Sequence, residues 1–207
     1  MKKLSKLFST SVLMLCTTVV MQAQSPSTGN SLTPHFGVKG GVNFATVTGD
    51  DYGNPDSRTS FHVGALVEFP LTEMFSLQAE ALYSGQGFKT DINADFIGGD
   101  GKVEYQLDYI NVPILAKVYV FEGLSLEVGP QFSFKVNEEW DIDANADDGD
   151  FEVNDAESFE FGIAAGVSFE TSMGLFATGR YNMGVTEIIK DTDAKNSVFQ
   201  IGIGYKF

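Results

Sequence analysis

The last nine residues of the chain alternate without a break: Phe199, Ile201, Ile203, Tyr205 and Phe207 share one face of an extended strand, and Gln200, Gly202, Gly204 and Lys206 share the other. Successive side chains of a strand point to opposite sides of its sheet. The segment therefore carries one continuous aromatic and aliphatic face and one small, polar face, and the same period recurs along the chain. Residues 34–47 set Phe36, Val38, Val42 and Phe44 against Lys39 and Asn43, and residues 59–69 set Phe61, Val63, Ala65, Val67 and Phe69 against His62, Gly64 and Glu68. Residues 75–88 place Phe75, Leu77, Ala79, Ala81 and Tyr83 opposite Ser76, Gln78, Glu80 and Ser84. From residue 124 to 135, Leu124, Leu126, Val128, Phe132 and Phe134 oppose Glu127, Gly129, Gln131 and Lys135. Residues 159–169 repeat the pattern with Phe159, Phe161, Ile163, Ala165, Val167 and Phe169 against Glu160, Gly162, Ala164, Gly166 and Ser168. Residues 175–184 follow it more weakly, with Leu175, Ala177, Tyr181 and Met183 against Thr178, Arg180 and Asn182.

Residues 103–119 are less regular. Ile110, Val112, Ile114, Ala116 and Val118 form the apolar face, yet Tyr105 and Leu107 have the opposite parity. That break predicts a bulge near Asp108, or emergence of the strand above a membrane there. Pro113 cannot donate to a ladder and predicts a further irregularity.

Tight connections at residues 70–74, 120–123 and 171–174 alternate with long polar ones at 48–58, 89–102, 136–158 and 185–196. Eight up-and-down strands require that alternation. The expected fold is all-β, an eight-stranded antiparallel up-and-down transmembrane β-barrel over residues 34–207, with apolar faces toward lipid and polar faces inward. Such a lumen is just wide enough for side chains to fill. Both termini fall on the short-turn side, which is periplasmic in outer-membrane barrels, and the long loops then lie outside the cell. The terminal Phe207 resembles the aromatic ending of such barrels. This implies recognition by the barrel assembly machinery and insertion, as a monomer in outer-membrane lipid, in a Gram-negative envelope. A soluble lipocalin-like ligand-binding barrel also has eight alternating strands, but its apolar side faces inward. The polar faces here favour the membrane form, because they mix Gly and Ser with isolated charges and lack the Lys and Glu density of a solvated exterior.

The N-terminus fits the same compartment. Residues 1–6 carry three lysines, residues 7–20 are apolar with scattered Ser and Thr, and Met21-Gln22-Ala23-Gln24 offers a cleavage site. Residues 1–23 are expected to be a secretory signal peptide, and residues 24–33 a short N-terminal periplasmic segment. The apolar core falls short of the ~20 residues of a membrane-spanning helix. Cys16 is the only cysteine and lies in that core behind the bulky Leu15, which argues against lipidation. Cleavage after Ala23 leaves no cysteine, hence no disulfide.

Removing residues 1–23 removes three lysines and no acid, which takes the formal charge from −15 to −18. A chain so acidic lacks the basic stripe that nucleic acid requires. The inward faces collect Lys39, Lys117, Lys135, Arg180 and Lys206 against Glu68, Glu80, Glu127 and Glu160. In a narrow lumen such groups must pair or hydrate, so a structural ion-pair network is expected. The excess acid sits in the loops. Residues 137–157 hold ten Asp or Glu and no Lys or Arg, a run expected to be a solvated loop. Within it, Asp141, Asp143, Asn145, Asp147 and Glu152 fall at relative positions 1, 3, 5, 7 and 12 and half-resemble a calcium loop. Ala146 stands where the sharp turn needs Gly, Asp148 stands where an apolar residue is usual, and no flanking helices are evident. The run admits a specific Ca2+ site, diffuse divalent-cation attraction, or a merely solvated acidic loop. No other cofactor is implied. Trp140 at its edge suits an interfacial anchor.

Three further motifs carry a family resemblance: Phe36-Gly37-Val38-Lys39-Gly40-Gly41-Val42-Asn43, Leu107-Asp108-Tyr109-Ile110-Asn111-Val112-Pro113, and Gly179-Arg180-Tyr181-Asn182-Met183-Gly184. Together they resemble the PorT-type outer-membrane β-barrel family over the whole mature chain. The resemblance implies a small barrel, brings no catalytic signature, and makes Asn43, Tyr109, Asn111, Pro113 and Arg180 scaffold residues. Some relatives resemble components of a dedicated secretion system, but these motifs mark architecture and no partner surface.

Three function classes follow. The favoured one is a non-enzymatic envelope protein whose barrel anchors acidic extracellular loops for contact with an outside partner. A narrow channel or small-ligand transporter would need a continuous wet path past the inward ion pairs. A membrane enzyme would have only His35 and His62 as imidazoles, and neither lies in a nucleophile motif.

Overall fold

A computed structural model describes residues 33–49, 55–94, 99–143, 149–152, 156–188 and 193–207. The strands are β1 (His35–Thr48), β2 (Asp56–Pro70), β3 (Phe75–Ala94), β4 (Gly99–Phe121), β5 (Leu124–Asp143), β6 (Gly149–Glu152), β7 (Phe159–Glu170), β8 (Leu175–Gly184) and β9 (Lys195–Lys206). Consecutive strands pair antiparallel, with β5 pairing β7 directly and β9 pairing back onto β1. Eight strands thus close into a barrel. The short β6 stands outside the ring and, among the described residues, pairs with β5 alone, residues 139–142 against 149–152.

Alternation decides which way each residue faces. The apolar set points outward, with Val38, Phe61, Val63, Val128, Val167, Ile201 and Ile203 among its exposed members, and Ile203 is 71% accessible. The opposite faces are buried inside: Lys39, Asn43, Glu68, Glu80, Lys117, Glu127 and Arg180 are all nearly inaccessible. This polarity is the inverse of a lipocalin-like barrel. In water it would leave a broad girdle of Phe, Val, Ile and Leu exposed, whereas in a bilayer that girdle removes apolar surface from water and the closed ladder satisfies the backbone.

Two of the three short connections turn on glycine. Gly123 (φ +78) closes the two-residue turn between β4 and β5, and Gly174 (φ +85) ends the turn before β8. A residue with a Cβ is strained in that region.

The strands run further than alternation alone predicts. β3 continues to Ala94 and β4 begins at Gly99, so most of the loop expected at residues 89–102 is a ladder from Lys89↔Glu104 to Ala94↔Gly99. Likewise β5 continues to Asp143, which corrects the expectation that residues 136–158 form a loop throughout. Polar side chains mask these extensions, because above an apolar band both faces of a strand can be wet.

The irregularity expected near Asp108 is present, but it does not produce the parity break in the fourth strand. Tyr105, Leu107, Tyr109, Asn111, Leu115 and Lys117 all face inward in unbroken alternation. The register shift beside Asp108 inserts its extra residue in the partner strand: Asp108 pairs Asn137 and Tyr109 pairs Lys135, which leaves Val136 over in β5. Pro113 interrupts the β3 ladder without changing register, since Ala79↔Ile114 and Leu82↔Asn111 lie in phase on either side.

Candidate functional site

The lumen is filled in layers, and each layer follows from the inward residues that alternation delivers to it. At the short-turn end Glu68 is the hub. It accepts hydrogen bonds from Lys206 Nζ (2.5 Å), Lys117 Nζ (3.0 Å), Ser76 Oγ (2.7 Å) and the Tyr119 hydroxyl. Lys206 also reaches Glu170 at 2.5 Å, and its ammonium lies 5.5 Å from the Phe176 ring centroid. Below this layer opens a shallow cleft of about 390 Å³ lined by His35, Glu73, Glu122 and Glu170 among others.

Arg180 occupies the middle. Its Nη1 and Nη2 donate to the two oxygens of Glu80 at 2.7 Å each, and its Nε donates to Glu127 at 2.8 Å. A planar fork between two carboxylates suits arginine in a way the lysine ammonium cannot reproduce. Lys39 adds a second cation to Glu80 at 3.4 Å. Beside this cluster Asn43 ties four strands together. Its Nδ2 donates to Ser84 Oγ (3.0 Å) and the Gly85 carbonyl (2.7 Å), while its Oδ1 accepts from Gln200 Nε2 (3.0 Å) and sits 2.7 Å from His62 Nδ1. His62 therefore donates from Nδ1 in its neutral form. Gly41 makes room for this ring, since a Cβ there would lie 2.8 Å from His62 Cε1 and 2.0 Å from the Ile201 carbonyl oxygen.

At the long-loop end the filling turns apolar. Val47, Phe88, Tyr105, Leu107, Tyr109, Ala156, Ile188 and Ala194 form one buried cluster. Tyr105 stacks edge-on against Phe88 at 5.5 Å, and its hydroxyl donates to Glu138 at 2.6 Å. Glu138 also receives Lys135 Nζ and the Ala156 amide (3.2 Å). This acid of the 137–157 run is thus a buried structural acceptor, which corrects its expected place in a solvated loop. Higher still, Glu104 takes hydrogen bonds from Arg58 Nε (2.6 Å) and Lys89 Nζ (2.8 Å) above the outward band of β4. Partial burial would raise the Glu104 carboxyl, but hydrogen bonds from Lys89 and Arg58 outweigh it and hold the group below the usual carboxylate range.

Residues 22–190 match the family described as the outer membrane protein beta-barrel domain. The chain belongs to that family. Its place is the outer membrane, and the outward apolar girdle fits a bilayer. Comparison with curated proteins gave no match. Among solved structures the chain is similar to Neisserial surface protein A, at 13% identity and TM-score 0.56, covering 83% of this chain and 97% of that one. It is also similar to Ail, the attachment invasion locus protein of Yersinia pestis, at 12% identity and TM-score 0.50, covering 84% and 98%. At such identities the likeness is one of fold.

Of the residues expected to bind calcium in this outer-membrane barrel, Asp141 and Asp143 belong to β5 and Glu152 to β6, with Asp141 opposite Asp150 and Glu139 opposite Glu152 in the backbone register. Their side chains, and Asn145 and Asp147 entirely, lie outside the described residues. The inward charges expected to pair do so for Lys39, Lys117, Lys135, Arg180 and Lys206. The apolar cluster and the Asn43–His62 relay were not foreseen. The signal for the cluster was the parity of Tyr105 and Leu107, while nothing local in the sequence marks the relay.

Proposed function

We propose that this protein is a non-enzymatic, sealed scaffold of the outer membrane that presents its acidic extended hairpins outside the cell. The observation that supports this most is the double filling of the lumen. Ion pairs around Arg180 and Glu68 occupy its middle and short-turn end, and the Tyr105–Leu107 cluster occupies its long-loop end, so a channel or transporter path would have to breach both. In this proposal residues 1–23 direct export, the assembly machinery inserts a monomer, both termini face the periplasm, and the barrel is of the PorT type. The β3–β4 ladder and the β5–β6 hairpin rise on the long-loop side, where their acids repel anions and attract divalent cations such as Ca2+. A cationic or cation-bridged surface is the extracellular partner this charge favours.

Cysteine labelling tests the orientation. Asn137→Cys is expected to react with an impermeant maleimide on intact cells, and Ser172→Cys only after the outer membrane is permeabilised. The opposite pattern would overturn the reading, because the acidic hairpins would then face the periplasm.

A further inference from the structure

One inward carboxylate stands apart from the ion-pair layers. Glu160 is 4% exposed, and among the described residues no Lys or Arg pairs with it. Its hydrogen bond comes from a neutral group, the Asn196 side-chain Nδ2 at 2.6 Å. Lys135, on the same strand as Ser133, the register partner of Glu160, is instead engaged by Glu138 and by the Ala156 carbonyl at 2.5 Å. Space is built for the carboxylate, because Gly184 has no side chain: a Cβ there would lie 2.6 Å from Glu160 Oε1.

The surrounding oxygens are also unspent. Asn196 Oδ1, on a residue 2% exposed, accepts no hydrogen bond from the protein among the described residues. The Tyr109 hydroxyl, on a fully buried residue, is in hydrogen-bonding contact with the Asn196 side chain and lies near Glu160. Asn111, across from Ser133, and Asn182, two positions from Gly184, bring further side-chain oxygens and amides without protein partners. A buried carboxylate without a cation, and buried amide groups without hydrogen-bond partners, are each costly. In the layers below, every such carboxylate has a guanidinium or an ammonium.

We infer that Glu160, Asn196 and Tyr109 form a site for a partly hydrated monovalent cation of the sodium type, held between the Arg180 layer and the apolar outer cluster. An all-oxygen set selects a hard cation. A single carboxylate neutralises one positive charge, whereas calcium sites gather six to eight oxygens, usually from several acids. Water bridged by Asn111 and Asn182 completes the shell.

The thermal midpoint of heat-dependent gel mobility tests this on the purified, folded protein. At fixed ionic strength, replacing N-methylglucamine chloride with sodium chloride is expected to raise the midpoint saturably. Glu160→Gln, which is isosteric, is expected to fold and to lose that dependence, while Glu104→Gln keeps it. Equal midpoints in the two salts would overturn the site and assign a proton to Glu160. A sodium dependence that survives Glu160→Gln would overturn it too, by locating the effect in the acidic hairpins. Crystals grown in thallium(I) give an independent readout: an anomalous peak between Glu160, Asn196 and Tyr109 is expected, and none there would contradict the site.

Discussion

Arg180 shows how a single inward side chain fixes the interior. It bridges Glu80 on β3 and Glu127 on β5 from β8, and it is 1% exposed. Removing one partner of a buried pair strands the others in a medium that solvates charge poorly. Arg180→Ala is therefore expected to destabilise the barrel by about 3–5 kcal/mol. The measurement is equilibrium urea unfolding in lipid vesicles. Arg180→Lys should recover only part of the loss, since an ammonium cannot engage both carboxylates in fork geometry. A loss near zero for Arg180→Ala would mean that water reaches and solvates Glu80 and Glu127. Gly41 is a second sensitive point. Gly41→Ala places a methyl against the Ile201 carbonyl and the His62 ring, and is expected to lower the yield of heat-modifiable protein.

Among the elements, the membrane face and the hairpins obey different physics. On β9, Ile201 is 52% exposed in the centre of the outward band. Ile201→Arg is expected to cost about 2–4 kcal/mol, the penalty for a cation near the bilayer midplane. The same unfolding experiment reads it, and an unchanged stability would place Ile201 away from lipid. Above the band the hairpins depend on charge. The depressed Glu104 carboxyl contributes stability that is present above the carboxylate's unfolded value and is lost as pH falls through its lower folded value. Acidification is therefore expected to raise hydrogen exchange in the hairpin around residues 86–89 and 104–106, and Glu104→Gln should flatten that acid response. The legibility of the sequence divides along the same line. Within the band every strand was readable, because lipid on one side and a polar lumen on the other impose period two. Beyond it, β3, β4 and β5 continue with no apolar face to signal them, so their extensions at 89–102 and 136–143 read as loop. Tyr105 and Leu107 misled for a related reason: inward apolar residues cap the lumen, and strict inside-polar patterning does not allow for a cap.

At the scale of the whole molecule the layers combine into a plug: ion pairs at the short-turn end, the Arg180 cluster in the middle, and an apolar cluster at the long-loop end. This arrangement separates a scaffold from a pore, and it was only half legible in the sequence. The charges were countable, but their pairing and the seal depend on barrel closure through β1 and β9. Single-channel recording in planar bilayers tests the plug most directly. The account predicts no steady conductance from the wild-type protein across pH 5–8 in sodium or potassium chloride. A stable, voltage-independent open level from properly folded protein would contradict it, and would show that water and ions pass both the Arg180 layer and the Tyr105–Leu107 seal.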